Sequence, residues 1–219
     1  LNELAAAVNQ LSNTGGAIAG DVIYAGNVTK WKKLANSLRM RLALQLSKKY
    51  PNAGQFSAVQ FSAALNHVDG FITDNADNFK VSYPGGSFKS PWYNLYNGRS
   101  DFGESETMTG LMSSLSDGRQ AAFGTSSLGV PYGRLRSYID PWTSNNPTWA
   151  RILNASYRPE AGTVVVLSPA EVCLSRVEAA DRGWTGEGGS INSLYQQGIN
   201  ASFAQWGLAA PPAGYFTQA

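Results

Sequence analysis

Apolar positions recur with helical spacing at both ends of the chain and lose it in the middle. Leu1, Leu4, Ala5, Val8 and Leu11 fall at i, i+3, i+4, i+7 and i+10, which predicts one face of a helix ending at Ser12-Asn13-Thr14-Gly15-Gly16. Residues 13–29 read as a glycine-rich connection. The strongest pattern covers 30–50. Trp31, Leu34, Ala35, Leu38, Leu42 and Leu46 form one stripe, and Met40, Ala43 and Leu44 lie opposite it. Arg39 and Arg41 stand at the borders. A helix apolar on two sides is packed between neighbours. Pro51 predicts its stop.

A shorter helix follows Ser57, with Phe56, Val59 and Ala63 expected inside, ending near His67-Val68-Asp69-Gly70. Residues 68–104 show no period. Met108, Leu111, Met112 and Leu115 restore it for one short helix closed by Asp117-Gly118-Arg119. Residues 120–163, with Pro131, Pro141, Pro147 and Pro159, read as irregular. Val164 to Leu167 reads as a short strand or an extended lead-in. Ser168-Pro169-Ala170-Glu171 has the form of a capping box with Pro in the first turn. Cys173, Leu174, Val177 and Ala180 are the expected core face of the helix that follows. Glu178 and Arg182 form an i, i+4 pair, and Gly183 is a natural stop. After a turn over 184–188, a last helix is expected from about Gly189 to Trp206. Its inner face would hold Ile191, Leu194, Tyr195, Gly198, Phe203 and Trp206, with Gly198 admitting a close neighbour.

The arrangement predicts a mainly α fold of tetratricopeptide-like antiparallel helix pairs with a long loop-rich insertion, although no 34-residue self-similarity is visible. The helical scaffold would comprise 1–67 and 165–207, and the insertion 68–164, within one domain spanning 1–219.

Composition narrows the functions open to such a chain. The 219 residues carry 17 Lys and Arg against 15 Asp and Glu, without the basic stripe of a nucleic-acid protein. One cysteine, Cys173, excludes an internal disulfide, and one histidine, His67, excludes a histidine metal cluster. No apolar run approaches the roughly 20 residues that cross a bilayer. No signal peptide is visible, and the chain opens at Leu1 without a methionine. Neither metal nor cofactor is expected. Asp74-Asn75-Ala76-Asp77-Asn78 lacks the order of a calcium loop and reads as a turn built on Asx side chains. Cys173 reads as a small core residue and His67 as a cap or surface residue. Three Asn-x-Ser/Thr triplets, at Asn27, Asn154 and Asn200, are matches that chance supplies often in an Asn- and Ser-rich chain.

The strongest periodic segments resemble a known family. Trp31 to Ala43 is similar to the W-x-x-x-A-N-S-L-x-x-R-L-A helix of the SusD/RagB family. Ser168 to Trp184 resembles its A-E-V…E-A-x-x-R-G-W helix, and Tyr195 to Ser202 its Y-x-x-G-I-x-A-S continuation. Asp117-Gly118-Arg119 stands where the family has D-P-R, and Gly129-Val130-Pro131-Tyr132-Gly133 matches G-x-P-x-G. These segments occur in the family's order. The resemblance implies a non-catalytic lipoprotein of the Bacteroidetes outer membrane that captures glycans, or in some members peptides. It would pass them to a TonB-dependent, SusC-like transporter. It also implies that the chain corresponds to roughly the later half of a member, the lipid-bearing cysteine lying outside it.

Candidate ligand chemistry concentrates in the insertion. A sugar presents a C–H face to an aromatic ring and hydroxyls to directed donors and acceptors. Trp92, Tyr93, Tyr96, Asn97 and Arg99 supply both within one segment, and Trp142 and Trp149 add rings further on. The same rings could instead pin long loops to the scaffold. Trp31, Trp184 and Trp206 read as core. Arg39 and Arg41 read as partners in contacts between helices, Glu171 as a cap, and Glu178 as a packing carboxylate. Asp101, Glu104 and Glu106 form the dense acidic cluster that a glycoside hydrolase would need, but their crowding before a helix reads as a complement to its dipole.

Overall fold

The computed structural model describes residues 1–12, 16, 18–185 and 191–217. The turn residues 186–188, the expected helix start at Gly189, and Asn13 to Gly15 lie outside them. The periodic segments at the two chain ends are helices, as their spacing predicts: α1 (Asn2–Gln10), α2 (Val28–Gln45), α3 (Phe56–Leu65), α8 (Pro169–Asp181) and α9 (Ile191–Gln205). α2 ends at Gln45, short of the predicted stop at Pro51, and residues 46–49 form a turn. Between them lie α4 (Pro91–Asn94), α5 (Glu106–Ser114), α6 (Gln120–Phe123) and α7 (Arg136–Asn145). Two strands, β1 (Phe79–Ser82) and β2 (Thr163–Leu167), form one two-stranded sheet. The fold is mainly α. The chain divides into two compact units, Leu1–Val81 with Val165–Gln205 and Ser82–Val164 with Trp206–Ala219.

The first unit is the helical one. α2 packs against α1, α3 and α8, and α8 packs against α9. This explains the two apolar sides of α2. Met40 and Ala43 are 0% exposed, while Leu38, Leu42 and Leu46 are half-buried. Burying each large apolar side chain stabilises by about 1.5–3 kcal/mol, and Met40, Phe61 and Ile72 are almost wholly enclosed. Asn27 caps α2, its side chain accepting from Lys30 N at 3.1 Å. The preceding loop is tied down by Asp21. Its carboxylate accepts from Trp31 Nε1 and from the amides of Ile23, Tyr24 and Gly26. Despite some desolvation, these four donors hold it down at about 2.

Arg39 and Arg41 do join helices. Arg39 Nε donates to Gln60 at 2.8 Å, and Arg41 Nε lies 2.6 Å from Glu171. Glu171 therefore pairs across to α2 rather than closing its own capping box, although Ser168 still accepts from Glu171 N at 3.5 Å. Trp184 is 5% exposed and donates to Pro51 O, as a core tryptophan should. Asp74 forms the expected Asx turn, accepting from Ala76 N at 2.7 Å. Gly198 faces Cys173 and Leu174, and a Cβ there would lie 3.2 Å from both side chains. Residues 68–81 belong with this unit, because Asn36 donates to Gly70 O and Ser37 Oγ accepts from Ile72 N.

Several expected faces are corrected. In α3 the buried residues are Ser57, Ala58, Phe61 and Ala64, whereas Phe56, Val59 and Ala63 are exposed. The sequence FSAVQFSAAL is apolar nearly all round, so periodicity alone selects no side. In α5 only Thr109 and Met112 are buried, and Met108 and Leu111 are exposed. In α8 Cys173 is buried but Leu174 is 43% exposed, and Val172 and Ala179 are buried on a second face. In α9 Ile191 and Tyr195 are exposed. Trp206 lies beyond the end of α9, in the second unit. The stretch 120–163 is not wholly irregular. It contains α7 despite Pro141, which removes one backbone donor, and no residue of α7 is buried.

Candidate functional site

The second unit is held by short backbone stitches rather than a sheet. Gly103 bridges Arg151, Ser105 bridges Val130, and Gly124 bridges Ile152. Glu104 N donates to Ala150 O at 2.9 Å, and Val130 N to Glu104 O at 2.8 Å. The close approach requires glycine at 103, where a Cβ would sit 2.5 Å from Val130. The G-x-P-x-G turn then presents Tyr132, 61% exposed, with its hydroxyl donating to Gly103 O at 2.7 Å.

Two clefts adjoin at Gly103 and Tyr132. One, of about 530 Å³, is walled by Trp92, Met108, Phe123, Tyr132, Ile152, Leu153 and Trp206, with Glu104 and Ser105. Trp206 is fixed edge-on to Phe123 at 5.0 Å and to Tyr157 at 5.4 Å, and Tyr157 Oη donates to Trp206 O. The other, of about 620 Å³, is the more polar of the two. Its lining includes Asp101, Tyr132, Arg134, Asp140, Thr143, Trp149 and Arg151. The Arg151 guanidinium stacks 3.5 Å over Trp149 and donates to the carbonyls of Pro147 and Trp149.

The structure separates the loop residues that the sequence groups together. Trp92 lines the apolar cleft and Trp149 the polar one, where it is 8% exposed. Tyr93, Tyr96, Asn97, Arg99 and Trp142 line neither. Tyr96 is a loop pin. Its hydroxyl donates to Phe102 O at 2.5 Å and accepts from Ile152 N at 2.7 Å, and Arg158 covers its ring at 4.0 Å. Tyr93 lies beneath Lys89, and Asn97 is exposed. Arg99 is bonded through Nε and Nη2 to both oxygens of Asp101. That pairing holds the Asp101 carboxyl below its ordinary range and the guanidinium above it. Trp142 is half-buried on α7.

The acidic cluster is dispersed as well. Asp101 is bound to Arg99, and Glu106 begins α5. Glu104 is 6% exposed, with burial pushing its carboxyl up against the hydrogen bond from Gln120. Sequence reasoning misses Trp206 and Tyr132 as cleft residues. Trp206 falls in phase with the α9 stripe, which assigns it to the core. Tyr132 could have been found as an aromatic held in a Gly- and Pro-fixed turn.

A family model described as starch-binding, associating with outer membrane, and designated SusD-like, matches residues 1–219. Among solved structures, a SusD homologue from Bacteroides uniformis is 26% identical with a TM-score of 0.79, covering 98% of this chain and 44% of its own. A chitin-binding SusD homologue from Flavobacterium johnsoniae is 26% identical with a TM-score of 0.78, over 98% of this chain and 44% of its own. A SusD homologue from Bacteroides fragilis shares the fold at 21% identity and a TM-score of 0.79, over 98% and 48%. The chain thus spans less than half the length of these relatives. A comparison with curated proteins finds no match.

Proposed function

The chain belongs to the SusD-like family of starch-binding proteins that associate with the outer membrane, and from that premise we propose that it is a non-catalytic glycan-capture module. It would act at the cell surface as part of a lipid-anchored protein and deliver its ligand to a TonB-dependent transporter. The observation that carries this reading is the open aromatic cleft walled by Trp92, Tyr132 and Trp206. Its volume falls within the roughly 300–1,000 Å³ of small-molecule sites. Ring faces there suit the C–H face of a pyranose, and Ser105 with the Tyr132 hydroxyl supplies polar partners at the rim. The name of the chitin-binding relative supports a saccharide ligand.

Calorimetric titration of the chain with oligosaccharides checks this reading. Trp92→Ala and Tyr132→Ala are expected to weaken binding about tenfold or more while far-ultraviolet dichroism stays unchanged, losing a ring contact of the order of 1 kcal/mol plus its buried area. Equal affinity in both variants would remove the cleft from the account. Absence of binding to every saccharide tried would remove glycan capture itself.

A further inference from the structure

The polar cleft is lined by two arginines that its own carboxylates do not pair with. Two carboxylates, Asp101 and Asp140, line it. Each already has an arginine partner from outside the lining. Arg99 binds both oxygens of Asp101, and Arg136 Nε lies 3.0 Å from Asp140 Oδ2. The two arginines that do line the cleft, Arg134 and Arg151, have no carboxylate partner among the described residues. The lining thus keeps two guanidinium groups unpaired beside two carboxylates that are already engaged.

The remaining contacts hold these charges in place without cancelling them. Arg151 lies flat on Trp149 and gives Nη1 to two backbone carbonyls. Arg134 stands 5.5 Å from the Tyr138 ring and is exposed. A guanidinium fixed by stacking and backbone acceptors keeps its charge and offers its remaining N–H groups as a planar fork. That fork matches the geometry of a carboxylate or sulfate. Thr143 and Ser144 both donate to Asp140 O, so their hydroxyls can still accept from a sugar.

We propose that the polar cleft receives the anionic group of an acidic saccharide, a uronate carboxylate or a sugar sulfate, between Arg134 and Arg151. This rests on the glycan-capture reading and names the ligand class for it. The ring of the same or a neighbouring sugar lies toward Tyr132, where the two clefts adjoin. A neutral glycan of equal length meets the same rings but leaves the arginines unpaired.

The test titrates the chain with three oligosaccharides of matched length: an oligogalacturonate, a neutral galacto-oligosaccharide, and a sulfated galacto-oligosaccharide that carries no carboxylate. The uronate or the sulfated oligosaccharide is expected to bind at least about tenfold tighter than the neutral one, as a charge-assisted hydrogen bond would give. That preference is expected to shrink as salt is raised. Whichever acidic probe binds tighter identifies the group. Arg134→Glu, at an exposed position, is expected to bring the ratio of acidic to neutral affinity close to one, and Arg134→Lys to restore part of it. Arg151→Gln should act in the same direction, with dichroism confirming the fold. Equal binding of acidic and neutral sugars, or a ratio unmoved by Arg134→Glu, would overturn the acidic-ligand proposal and leave glycan capture standing. No binding by any of the three would overturn both.

Discussion

At the scale of single residues, the site is shaped by which polar groups are already engaged. Tyr96 sits in the most sugar-like segment of the sequence, yet its hydroxyl both donates and accepts internally. Nothing in the spacing of Trp92, Tyr96 and Arg99 could distinguish a pin from a platform. Glu104 shows the opposite situation. Its Oε2 accepts from Gln120, while Glu104 Oε1 and Gln120 Oε1 are buried without hydrogen-bond partners among the described residues. Burial raises the carboxyl above its ordinary value. The folded chain therefore holds this proton more tightly than the unfolded chain, and this contribution to stability falls as pH rises through the raised value. Glu104→Gln supplies a permanent N–H donor and removes the charge. It is expected to stabilise by about 1 kcal/mol at neutral pH, near the lower cost of an unpaired buried polar group. The gain should vanish toward pH 4. Urea denaturation at the two pH values checks both the sign and the trend.

At the scale of elements, helix existence and helix face have different origins. The spacing in α1, α2, α5, α8 and α9 predicts helices that the chain forms. The buried face of α3 depends on α2, because a segment apolar all round can turn either side inward. Gly198 is legible in the sequence and its purpose is visible in the packing of α8 on α9. Gly198→Ala should stay within about 1 kcal/mol of the parent, since the helix-propensity gain of ~1 kcal/mol offsets a 3.2 Å contact with Cys173 and Leu174. Gly198→Leu should destabilise by about 1–3 kcal/mol, because the extra carbons have no space between the helices. Thermal and urea unfolding of the two variants would separate propensity from crowding.

At the scale of the whole molecule, each unit has its own source of order. The helical unit is ordered by an apolar core around Met40, Phe61 and Trp184. The second unit relies more on polar ties. Asp117, 3% exposed at its side chain, accepts from Arg119 Nη2 at 2.6 Å and from Tyr215 Oη at 2.7 Å. Although burial opposes it, these bonds hold the Asp117 carboxyl below its ordinary range, and burial first, then Asp117, pushes the Tyr215 hydroxyl up. The D-G-R segment thus anchors residues 213–217 to α6 and its surroundings. Tyr215→Phe is expected to cost about 1.5–3 kcal/mol, the range of a hydrogen bond to a charged group. Hydrogen exchange at Gln120 and Ala122 should quicken in this variant, whose amides bond to Asp117 and Arg119.

The sequence alone determined the helical class, the cap at Ser168, the bridging arginines of α2 and the family resemblance. Each of these is written in spacing a few residues long or in a contiguous motif. Tertiary structure decided which apolar faces are buried, that Trp206 leaves the helical core for a cleft beside Trp92 and Tyr132, and that Arg134 and Arg151 share a depression whose carboxylates are already paired. Those outcomes join residues 17 to 114 positions apart, and local periodicity carries no information over such separations.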